Sequence, residues 1–81
     1  MNKETMNLIQ VTGWMEVMDS RVRIARNLDG ADDKWKSETE SYLQAEIEGA
    51  LAIAKIILSE DGYQELMTFM KSLKHITVKL P

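Results

Sequence analysis

The chain has 81 residues, of which 44% are hydrophobic and 28% are charged, with a net charge of −3 and no cysteine. The length limits it to a single domain over residues 1–81, and the composition excludes an intrinsically disordered chain. Without cysteine there is no disulfide or thiolate–metal site, and the negative net charge argues against nucleic acid and anionic membranes as partners.

The first predicted helix covers about residues 4–28. Apolar residues recur there at alternating steps of three and four, which is the spacing of a helix with a buried seam. The seam consists of Leu8, Val11, Met15, Met18, Val22 and Ala25. Further apolar residues widen this surface to a second side, so the helix should contact two neighbours. Gly13 and the β-favouring Val11-Thr12 leave two alternatives open: a helix that begins only at Trp14, and a short strand over residues 21–25.

A turn is predicted at Asn27-Leu28-Asp29-Gly30, because Asn and Gly favour helix ends. The second predicted helix covers about residues 32–58, with Asp29 or Asp32 as its N-cap. Its apolar residues also follow the helical period. They are Trp35, Tyr42, Leu43, Ile47, Ala50, Leu51, Ala54, Ile57 and Leu58. The short connection predicts that the two helices form an antiparallel hairpin.

A shorter third helix is predicted over about residues 63–74, after a break at residues 59–62 and with Asp61 and Gln64 as a capping box. Residues 75–81 are expected to form an extended tail. The predicted fold class is therefore all-α: an antiparallel helical hairpin closed by a shorter third helix, in a small three-helix bundle. A mixed fold with a small β element is the alternative, because residues 76–80 alternate apolar and polar side chains as a short strand does.

The sequence offers no constellation of residues for catalysis, metal binding or a cofactor. His75 is the only histidine, and no glutamate stands three residues before it, as metal sites in helical bundles require. We interpret the acidic side chains between residues 31 and 60 as a solvated helix face. No stretch reaches the roughly 18 apolar residues of a transmembrane helix, and residues 1–5 lack the apolar region of a signal peptide. We therefore expect a cytoplasmic, non-enzymatic protein without a cofactor.

Three arginines, Arg21, Arg23 and Arg26, are candidate anion-binding residues, because guanidinium groups at helical spacing can clamp a phosphate or a carboxylate. The alternative is that they pair with the acidic start of the next helix across the turn. Three arginines in a net acidic chain, without interleaved aromatic residues, do not predict nucleic-acid binding.

Candidate interface residues are bulky or small side chains on the helices and in the tail. They are Trp14, Trp35, Gly49, Tyr63, Ile76 and Val78. We interpret the two tryptophans first as core residues, with an interface role as the alternative. Gly49 lies inside the long helix at a cost of about 1 kcal/mol, which indicates that something packs against it. The apolar residues on several sides of the hairpin predict a homo-oligomer, a dimer or larger.

The run Asp33-Lys34-Trp35, followed by Leu43-Gln44, resembles part of the small helical phage proteins that sequester cyclic oligonucleotide signals of bacterial immunity. The resemblance lies within residues 33–44, and residues 59–81 depart from that family. It implies helical hairpins that assemble into oligomers and, as a function, the binding of an anionic nucleotide. It assigns no ligand contact to any residue of this chain.

From the residues themselves we expect a small non-enzymatic helical protein, with a binding or regulatory role, that acts by binding a protein partner. Small acidic helical proteins of this kind are typical of phages and mobile elements. Two alternatives stay open. One is an oligomeric sponge that sequesters an anionic nucleotide at an arginine-lined interface, and the other is a structural assembly component.

Overall fold

The computed structural model describes residues 2–76, and this part of the chain contains three α-helices. They are α1 (Lys3–Asn27), α2 (Asp33–Ile57) and α3 (Glu60–Lys71). α1 and α2 form the hairpin, and α3 packs against it. No strand occurs within residues 2–76, and the all-α fold class is confirmed. Part of the predicted tail, including Val78, lies outside the described residues.

α1 is one continuous helix that passes through Gly13. The predicted continuous helix is therefore confirmed, and the two alternatives, a start at Trp14 and a strand over residues 21–25, are excluded. The Asn2 side chain caps the helix by accepting a hydrogen bond from the N–H of Thr5 at 2.8 Å. A glycine costs a helix about 1 kcal/mol. Burial of one large apolar side chain offsets that cost, because it contributes about 1.5–3 kcal/mol.

The core lies where the three helices meet. The predicted seam of α1 is buried there from Val11 to Ala25, and Met15 and Met18 are fully buried. The buried residues that the other elements add are Leu43, Ile47, Ala50, Ala54, Leu58, Leu66, Met67, Met70 and Ile76. Flexible methionine side chains fill the irregular space between helices of unequal length.

The turn between α1 and α2 forms as predicted. Gly30 has a φ of +84°, which residues with a side chain rarely adopt. Asp32 is the N-cap of α2, and its carboxylate accepts a hydrogen bond from the N–H of Trp35 at 2.7 Å. The bounds of α1 and α2 agree with the predicted ones to within one residue.

α3 begins and ends three residues earlier than predicted, and its cap is Ser59 rather than Asp61. The Ser59 hydroxyl accepts a hydrogen bond from the N–H of Gly62 at 3.0 Å. The same hydroxyl and the backbone N–H of Ser59 both donate to Oε1 of Glu4, each at 2.8 Å. The start of α3 is therefore fixed by a contact with α1, 55 residues away in sequence.

Candidate protein-binding face

Two ion pairs join α1 to α2, and they lie on different sides of the hairpin. Arg26 pairs with Glu40, and its Nη1 donates to the carbonyl oxygen of His75 at 3.3 Å. This pair therefore lies on the side where the chain returns after α3. Arg21 pairs with Glu46 at 3.9 Å. Because Arg21 and Arg26 are five residues apart, they are turned by about 140° around the axis of α1, and the Arg21–Glu46 pair lies away from α3.

Both ends of α3 are tied to the side of α1 that carries Arg26. Glu4 holds Ser59 at the start of α3, and Asp19 accepts hydrogen bonds from the N–H groups of His75 and Ile76 at 2.8 and 2.9 Å. At about 100° per residue, Glu4, Asp19 and Arg26 share one side of α1. α3 therefore covers one side of the hairpin and leaves the opposite side open.

We call this open side the outer face. At about 100° per residue, Trp14, Val17 and Ile24 share a side of α1 with Arg21, and the same period groups four residues of α2 with Glu46. The outer face consists of Trp14, Val17, Arg21, Ile24, Trp35, Tyr42, Glu46, Gly49 and Ile53. All of these except the half-buried Glu46 are exposed. The result is an apolar surface with one ion pair at its centre.

Exposed large hydrophobic side chains are concentrated on the hairpin. Within residues 2–76 there are eleven, all in α1, α2 or the turn that joins them, and α3 has none. Trp14 and Trp35 are 40% and 42% exposed, so their interpretation as core residues is wrong. The helical period alone does not tell which of two apolar sides a neighbour will cover. Exposed large hydrophobic side chains that are concentrated on one part of a protein are typical of protein interaction sites.

The three candidate anion-binding arginines do not come together. Arg21 and Arg26 pair with carboxylates on different sides of the hairpin, and Arg23 is exposed. The two partners, Glu40 and Glu46, lie in the second and fourth turns of α2 rather than at its acidic start. The expected pairing with α2 is present, but at a different place, because the antiparallel arrangement sets the end of α1 beside the second turn of α2.

Tyr42 and Glu46 form an electrostatic unit on the outer face. Glu46 raises the pKa of Tyr42 above its ordinary value, first by accepting a hydrogen bond from the phenol and then by repelling the phenolate; Arg21 opposes this shift. Glu46 therefore favours the protonated form of the Tyr42 phenol. Tyrosine and arginine are the residue types that protein interfaces favour as anchors.

A groove of about 450 Å³ lies on the other side of the hairpin, between α2 and residues 75–76. Four of its polar side chains are paired with one another: Gln44 donates to Glu48 at 3.3 Å, and Glu40 accepts from Arg26. Within residues 2–76, no group of three or more His, Asp or Glu side chains is arranged to hold a metal ion. We therefore place the candidate site on the outer face.

The remaining interface candidates lie in different environments. Gly49 is part of the outer face, whereas Tyr63 is partly buried against the core. Ile76 is only 5% exposed and belongs to the core, so its prediction as an interface residue is wrong. Val78 lies outside the described residues. Sequence reasoning did not select Val17 and Ile53, although a second seam at helical spacing, opposite the buried one, would have indicated them.

No protein-family model, no curated protein and no solved structure matches this chain. No helix within residues 2–76 has the length and apolar character needed to cross a membrane. What the structure defines is therefore a class: a small three-helix bundle whose hairpin is covered by α3 on one side and carries an open apolar face on the other.

Proposed function

We propose that the protein is a small non-enzymatic binding protein that acts by engaging a protein partner through its outer face. The observation that carries this proposal is the position of the exposed large hydrophobic side chains, which lie on the hairpin and not on α3. Trp14, Tyr42 and Arg21 supply the aromatic and guanidinium groups that dominate the energetics of protein interfaces. The cytoplasmic location and the regulatory role expected from the sequence belong to the same proposal.

The sequestration of an anionic nucleotide receives less support from the geometry. Two of the three arginines already have carboxylate partners, and their guanidinium groups lie on different sides of α1. An anion would have to displace Glu46 or Glu40 before either arginine could bind it. A nucleotide that raises the melting temperature, with the shift lost in Arg23→Ala, would favour sequestration over our proposal.

The proposal is tested by photo-crosslinking inside the cells that naturally produce this protein. A photoreactive amino acid replaces Ile53 on the outer face or, as the matched control, Gln64 on α3; both positions are exposed. We expect discrete protein adducts from position 53 that are absent from position 64. Introducing Val17→Glu on the neighbouring helix should abolish them. The absence of any protein adduct at position 53, or the same adducts at both positions, would overturn the proposal.

A further inference from the structure

We draw no further inference here: the strongest candidate, the outer face of the α1–α2 hairpin, carries nothing beyond the proposed function, because nothing within residues 2–76 shows what covers it.

Discussion

The carboxylate of Asp19 accepts hydrogen bonds from the backbone N–H groups of both His75 and Ile76, at 2.8 and 2.9 Å. One side chain in the middle of α1 therefore holds the chain that leaves α3, 56 residues later. These two hydrogen bonds fix the backbone at Ile76, whose side chain lies in the core together with the seam of α1. Hydrogen bonds to a charged acceptor are among the stronger ones in proteins.

We expect Asp19→Ala to lower the free energy of unfolding by about 1–2 kcal/mol, because two backbone donors lose a charged acceptor at a partly exposed site. Urea denaturation followed by circular dichroism measures the change. Glu16→Ala is the control: it removes another acidic side chain of α1, which is exposed, and should change stability by less than about 0.5 kcal/mol. Equal effects of the two substitutions would show that the Asp19 contact is not stabilising.

Glycine-to-alanine substitutions should change stability differently at two helical positions. Gly13→Ala should stabilise the protein by about 0.5–1 kcal/mol, because alanine is the better helix former and its Cβ meets open space. Gly62→Ala should lose this gain, because its Cβ would collide with Oε1 of Glu4. Thermal unfolding of the two variants under identical conditions measures the difference. A Gly62→Ala variant that is as stabilised as Gly13→Ala would contradict the contact.

A double-mutant cycle between Glu4 and Gly62 should show strong coupling. In the Glu4→Ala background the collision at Gly62 is gone, so Gly62→Ala should become stabilising by about 0.5–1 kcal/mol. Glu4→Ala alone should destabilise, since the two hydrogen bonds to Ser59 are lost. Urea denaturation of the four proteins gives the coupling energy. Strict additivity of the two substitutions would argue against the arrangement of Glu4, Ser59 and Gly62.

Tyr42 should ionise at a higher pH than an ordinary tyrosine. Glu46 favours the protonated phenol in the folded protein, so stability should decline as pH rises from the ordinary tyrosine pKa through the raised one. The measurement is an ultraviolet titration in a Tyr63→Phe background, which leaves Tyr42 as the only tyrosine. Glu46→Gln should bring the pKa of Tyr42 down. An unchanged titration in Glu46→Gln would exclude Glu46 as the cause.

Much of the fold could be predicted from local features of the sequence. The period of the apolar residues predicted the seam of α1 from Val11 to Ala25, and Gly30 with Asp32 predicted the turn that makes the hairpin. These signals are local, because a helical period or a cap involves residues no more than a few positions apart. The same reasoning missed the true start of α3, whose cap Ser59 depends on Glu4.

The candidate site was only partly predictable. The sequence by itself determined that α1 and α2 are helices with apolar residues on more than one side, and it singled out Trp14, Trp35 and Gly49. Which of the further apolar sides a neighbour covers, and which stays open, was decided by the tertiary structure alone. α3 is 12 residues long and is tied by Glu4 and Asp19 to one side of the hairpin, so the other side stays open. The side that α3 covers is set by contacts between residues more than 50 positions apart. A local sequence pattern does not predict such contacts.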